Sequence, residues 1–193
     1  MRDTGLPTAL TVCGTEYEIN SDFRNVINIC FAYNDPDITP EAANYITVYL
    51  LYKCDIEELP DYNEALEKAI WFLDGGKDYS KQQHNSPKLF DWVQDYDFII
   101  SAVDQSIKTA ETVLDLPYMH WWTFIRKFSE RRETRLDRII GIRDKLNRRE
   151  KLEKWETQAL RENEDIILFR NKALDEFEKE MWGVIVYGGG FNT

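Results

Sequence analysis

Ten residues just past the midpoint, Leu116-Pro117-Tyr118-Met119-His120-Trp121-Trp122-Thr123-Phe124-Ile125, restrict the fold more than any other stretch. Asp115 is placed to cap a helix, and Pro117 suits a first helical turn. At ~100° per residue, Tyr118, Trp121, Phe124, Ile125 and Phe128 share one broad apolar face, with Trp122 at its rim. Thr123, Arg126 and Lys127 point away. One buried aromatic side chain hides ~150–250 Å², so several other elements must cover so short a helix. The expectation is a helical domain with Trp121 in its core. Trp122, beside Tyr118 and Arg126, has the composition of a contact hot spot.

The rest of the chain supplies those elements. Residues 8–19 alternate, with Leu10, Val12, Tyr17 and Ile19 inward and Cys13-Gly14-Thr15 as the turn, which predicts a β-hairpin. Asn20, Ser21 and Asp22 offer caps for a helix carrying Phe23, Val26, Ile27 and Cys30, which Asn34-Asp35-Pro36 ends. Thr39 and Pro40 start a second helix, with Ala43, Ile46 and Leu50 as its inner line and Tyr45, Tyr49 and Tyr52 on a flank. Asp61 and Glu64 form a capping-box-like pair before a third, which Gly75-Gly76 stops. Residues 75–88 read as a polar loop. Asp91, Asp95 and Asp97 precede a helix predicted to reach about Leu114, and their plain role is capping free N–H groups. Gly141 marks a bend or a close contact. From about Arg148 the spacing predicts one long helix, its narrow seam formed by Leu152, Trp155, Ala159, Ile166, Phe169 and Ala173 and interrupted at Glu162. Phe177 and Met181 continue the seam, and Val184 to Tyr187 reads as a short strand. A seam that thin predicts contact with a partner helix rather than a broad core.

The reading is therefore a mainly α protein: a multi-helix bundle with a small N-terminal β-hairpin and a long C-terminal helix. Residues 6–146 form the helical domain, and residues 147–193 the long helix and tail. With three cysteines in no CxxC spacing and two histidines, His84 and His120, neither a disulfide framework nor a zinc site is expected. No phosphate-binding glycine motif, GxSxG or HExxH occurs, so no catalytic, cofactor or metal residues are assigned. No membrane span is implied, and no apolar leader precedes the hairpin. Charge is uneven: residues 1–116 carry 21 acidic and 8 basic side chains, and residues 117–154 carry 6 acidic and 12 basic. That asymmetry suggests self-association or a charged protein partner. Acidic residues interrupt the basic stretch, so nucleic acid is not the expected partner.

Four segments, LPTALTVCGTEYEINSDFRNVINI, FDWVQDYDFIISAVDQ, LPYMHWWTFIRKF and IIGIRDKL, resemble the bacteriophage gene-product-fifteen family, small proteins encoded among the tail genes of long-tailed phages and prophages of Gram-positive bacteria. The acidic FDWVQDYD followed by HWW is the most specific part. The resemblance implies a non-catalytic tail-assembly chaperone in the host cytoplasm. Its partners would be the tape-measure protein, the tail-tube protein and further copies of itself. The alternative is another phage-encoded helical interaction or scaffold protein, acting on a host protein. Either way the contact residues expected are Tyr118, Trp122, Arg126, Trp155, Phe169 and Phe177.

Overall fold

The computed structural model describes residues 5–77, 87–107 and 112–170. It divides into two units: Met1–Lys81 with Pro117–Arg126, and Gln82–Leu116 with Lys127–Thr193.

In the first unit the hairpin forms as predicted. β1 (Ala9–Val12) pairs antiparallel with β2 (Thr15–Glu18), Ala9 opposite Glu18 and Val12 opposite Thr15. Cys13 and Gly14 make the turn at φ 49° and 81°, the two left-handed residues of a type I′ hairpin. Leu10, Val12 and Ile19 are buried, and Tyr17 is half-buried. Beyond β2 the chain bridges Ile19 to Tyr52 at the end of the second helix.

Three helices follow the hairpin, and the third packs on β1. α1 (Phe23–Asn34) is capped by Asp22, whose carboxylate accepts from Arg24 N. α2 (Pro40–Leu51) is capped by Thr39 and begins with Pro40. α3 (Tyr62–Leu73) is capped by Asp61, which accepts from Glu64 N. These caps are the ones the sequence offers. The inner line of α2 differs: Ala43, Thr47, Val48 and Leu51 are buried, whereas Ile46 and Leu50 are half-buried. Thr47 can turn inward because its hydroxyl donates to Ala43 O at 2.9 Å and also lies 3.1 Å from Tyr33 Oη. Tyr45 and Tyr49 stack on the exposed flank, while Tyr52 is buried and donates to Ala65 O.

The tryptophan helix, α5 (Trp121–Ser129), starts later than predicted. Asp115 does not cap it. Val113–Asp115 is a 3-10 turn capped by Thr112, and Leu116 is extended. The physical reason lies far away in sequence. Phe23 N donates to Met119 O at 2.9 Å and Trp121 N to Ser21 O at 2.8 Å, which holds residues 119–121 as extended chain against residues 21–23. His120 is the effective cap. Its Nδ1 accepts from Trp122 N at 3.0 Å, and Nε2 therefore donates to Pro7 O at 2.9 Å. Burial lowers its pKa, in keeping with this neutral ring. Tyr118 consequently lies outside the helix, and its hydroxyl meets Ser21 Oγ at 2.8 Å.

Trp121 and Trp122 then do the same thing on adjacent positions. Trp121 Nε1 donates to Leu73 O and Trp122 Nε1 to Phe72 O, each at 2.8 Å. Trp121 thus satisfies a carbonyl that the last turn of α3 leaves free, and Trp122 adds a second donor to Phe72 O, which also accepts from Gly75 N at 3.1 Å. The turn after α3 needs both of its glycines. Gly75 and Gly76 have φ of 70° and 77°, and a Cβ would lie 2.7 Å from Ile125 Cδ1 at Gly75 and 2.6 Å from Trp122 Cη2 at Gly76.

Asp74, between α3 and these glycines, is buried, and its Oδ1 has no hydrogen-bond partner. Burial pushes its carboxyl up to about 7, opposed by Lys77. Since the folded state holds this proton more tightly than the unfolded chain, the stability it supports is full below about pH 4. That stability is lost as pH rises towards 7. Asp74→Asn should therefore match the wild type at pH 4 and exceed it at pH 8 by about 2–4 kcal/mol. Urea unfolding at the two pH values checks this, and a gap that does not widen with pH would rule it out.

The second unit holds α4 (Tyr96–Ile107), the end of α5, α6 (Arg135–Asn147), α7 (Lys154–Glu162) and α8 (Glu164–Ile167). Its core includes Phe90, Trp92, Ile99, Val103, Phe128, Leu136 and Ile142. The fourth helix does not extend to Leu114. Asp104 accepts from Val113 N at 2.6 Å and from the Thr112 hydroxyl at 2.9 Å, fixing that stretch as the 3-10 turn. Gly141 marks neither a bend nor a close contact: α6 runs through it, and a Cβ there would meet nothing within 4 Å.

The single long helix expected from Arg148 is not present in the described residues. α7 ends at Glu162, where the seam was interrupted, and Asn163 (φ −137°, ψ 41°) breaks the chain before α8. The run Arg161-Glu162-Asn163-Glu164-Asp165 offers no apolar residue to hold a continuous helix against α6. Ala173, Phe177, Met181 and the predicted strand at 184–187 lie outside the described residues.

Candidate binding groove

The feature of the second unit with the shape of a binding site is a groove among α4, α6, α7 and α8. α6 begins with a capping box: Asp137 N donates to Thr134 Oγ1 at 3.2 Å, and Thr134 N donates to Asp137 Oδ2 at 3.0 Å. Ile139 and Ile142 from α6 and Ile167 from α8 are buried and form the floor. Trp155 and Ala159 of α7 and Ile166 of α8 complete the apolar lining, with Arg135, Arg138 and Glu133 also bordering the space. The volume is about 390 Å³. That accommodates roughly two or three side chains from an amphipathic helix.

A salt-bridge network places the walls. Glu156 is buried, and its Oε1 accepts from Lys145 Nζ at 2.7 Å, which ties α7 to α6. That hydrogen bond lowers the Glu156 pKa and raises that of Lys145. Trp155, half exposed at 50 %, is steered by a 2.8 Å bond from its Nε1 to Glu153 Oε2.

Behind the groove, Arg143 and Asp95 form a buried pair. Arg143 Nη2 donates to Asp95 Oδ1 at 3.0 Å and to Ile166 O at 2.9 Å. Nη1 donates to Asp95 Oδ2 and to Leu89 O, and Nε donates to Ile167 O at 2.7 Å. All five guanidinium donors are thereby engaged. Gln94 adds a second clasp: its Nε2 donates to Ile166 O and Leu168 O, and its Oε1 accepts from Arg170 N. The Arg143 guanidinium also lies 4.1 Å from the Phe169 ring centroid.

This network accounts for two of the quoted sequence segments. Within FDWVQDYD, Asp91 accepts from Val93 N and Gln94 N, and so caps as expected. Asp95 also satisfies a backbone N–H, its Oδ2 accepting from Asp91 N at 2.9 Å, but it is in addition the counter-ion of Arg143 in IIGIRDKL. Reading the sequence missed the roles of Arg143, Gln94, Arg135 and Arg138, and the pairing of Asp95 with Arg143. The one available signal was a lone arginine within the apolar run Ile139-Ile140-Gly141-Ile142.

The predicted contact residues divide between the units. Tyr118 (51 % exposed), Trp122 and Arg126 belong to the first, and Trp155 and Phe169 to the second. Trp155 lines the groove together with Ala159 and Ile166 of the predicted seam; Phe169 borders a separate hollow with Leu168 and Arg161. Phe177 lies outside the described residues.

Among the described residues no helix is long and apolar enough to cross a membrane, and no three His, Cys, Asp or Glu side chains cluster as metal ligands would. The family model described as bacteriophage Gp15 protein matches residues 2–167. No curated protein and no solved structure matched the chain.

Proposed function

The chain belongs to the bacteriophage Gp15 protein family, and from that premise we propose that it is a non-catalytic tail-assembly chaperone. It binds the tape-measure protein of the same phage, keeps it soluble and helps to recruit tail-tube subunits in the host cytoplasm. The observation that carries this reading is the groove with its apolar floor, Ile139, Ile142 and Ile167, beside a half-exposed Trp155. A long helical client offers repeated apolar stripes, and each stripe needs only a shallow, weakly binding receptor. Many copies bound along one client then hold it firmly while each contact remains releasable.

The test is co-expression with the tape-measure and tail-tube proteins of the same phage. The tape-measure protein should become soluble and co-purify with the chain. Trp155→Ala should cut the recovered client about tenfold, as for a central aromatic anchor, without lowering the unfolding temperature. A tape-measure protein equally soluble with and without the chain would overturn the assignment.

A further inference from the structure

We propose that the groove selects an acidic partner: an amphipathic helix of the client whose apolar stripe is bordered, on one flank, by two carboxylates a turn apart. This deepens the client reading above and rests on it for the origin of the helix. The chemistry comes from the groove itself. Its floor, Ile139, Ile142 and Ile167, is apolar and buried, so the stripe that meets it must be apolar too. The walls on either side differ. α7 and α8 present Trp155, Ala159, Asn163 and Ile166, none of them charged. α6 presents Arg135 and Arg138, both exposed in its first turn. Glu133 is the one carboxylate among the described lining residues.

Other cations of this segment are already paired: Arg131 with Asp137, Arg143 with Asp95, Lys145 with Glu156 and Arg148 with Asp144. Among the described residues Arg135 and Arg138 are in no ion pair. The Arg135 guanidinium lies 4.9 Å from the Phe98 ring centroid, a contact that restrains the group and leaves its donors to a partner. Two such cations beside an apolar slot attract carboxylates and reject a basic occupant. A guanidinium grips a carboxylate through two parallel N–H groups, so the position of the acid counts as well as its charge. Side chains three or four residues apart share one face of a helix. Carboxylates with that spacing on the partner match the three-residue spacing of Arg135 and Arg138.

Fluorescence anisotropy with the full-length chain and labelled synthetic helices tests this. The probes share one leucine stripe and differ on a single flank, which carries two glutamates, two glutamines or two lysines. The glutamate probe should bind about tenfold more tightly than the lysine probe, with glutamine between, as exposed ion pairs give way to repulsions. Added salt should shrink the spread. Arg135→Glu with Arg138→Glu should reverse the order. Acidic side chains at the start of α6 complement the helix dipole, so the variant should keep its unfolding temperature. Arg138→Gln alone should narrow the spread, and it serves if the double variant does not fold. Equal binding of the three probes, or no saturable binding of the glutamate probe, would overturn the proposal. So would displacement of that probe by single-stranded DNA, which would give the arginines to phosphates. A native mass that rises with concentration in the wild type but not in the double variant would give the groove to a second copy instead. The client reading fails separately. A tape-measure protein equally soluble without the chain would remove the client and leave the probe order intact. Equal client recovery by wild type and the double variant would keep the chaperone and discard the acidic selection.

Discussion

Arg143→Met is expected to destabilise the second unit by about 3–5 kcal/mol, the range for removing one member of a buried ion pair. Asp95 is fully buried, so the methionine variant leaves a carboxylate with no counter-ion and no water. The damage extends past the pair. The same guanidinium satisfies the carbonyls of Leu89, Ile166 and Ile167. Two of these belong to the residues that line the groove. Arg143→Lys should recover only part of the loss, because an ammonium cannot make the planar two-point contact. The double variant Asp95→Leu with Arg143→Met should improve on Arg143→Met alone, since no charge is stranded, yet remain below wild type because the carbonyls of Leu89 and Ile167 lose their donor, while Gln94 Nε2 still serves Ile166 O. Urea unfolding gives the energies, and hydrogen exchange at residues 164–168 shows whether α8 detaches. A loss below about 1 kcal/mol for Arg143→Met would mean that the pair is not holding the unit together.

Arg143 also shows where sequence reading stops. Local rules located what local chemistry decides. Thr39 with Pro40, Asp61 with Glu64, and Cys13-Gly14 each fix a cap or a turn within four residues, and all three stand in the structure. The start of α5 was misplaced because its determinants are distant: Asp22 accepts from Met119 N across 97 residues of sequence. Asp95 reads as a cap, and it does accept from Asp91 N, but its charged partner stands 48 residues on. The groove was half legible. The apolar spacing of Trp155, Ala159 and Ile166 did identify side chains that now line one surface. What periodicity could not show is that Asn163 divides them between two helices, or that Ile139 and Ile142 lie opposite. The glycine pair illustrates the same limit. Gly75-Gly76 read as a helix stop, which it is, but the close approach of Trp122 to Gly76 depends on where α5 passes.

The two tryptophans of α5 should separate in a paired unfolding experiment. Trp121 is fully buried, stacks on Phe124 at 5.7 Å between centroids, and Phe124 in turn stacks on Phe23 at 4.6 Å. Trp121→Ala opens a cavity at the end of that column and strands Leu73 O, so a loss of about 4–5 kcal/mol is expected. That is a large share of a domain's stability. Trp122 is half-buried and meets Trp71 edge-on at 5.5 Å. Its ring covers Gly76, and its indole N–H is already engaged by Phe72 O. It therefore has a structural task besides any contact with a partner, and Trp122→Ala should cost about 2–3 kcal/mol. Trp122→Phe separates the ring from the hydrogen bond. Keeping most of the apolar cover while losing the donor should cost about 1 kcal/mol. Equal losses for the two alanine variants would mean that Trp122 is as much a core residue as Trp121. A loss under about 0.5 kcal/mol for Trp122→Ala would mean that Gly75 N alone satisfies the Phe72 carbonyl, and that the ring is free to serve a partner alone.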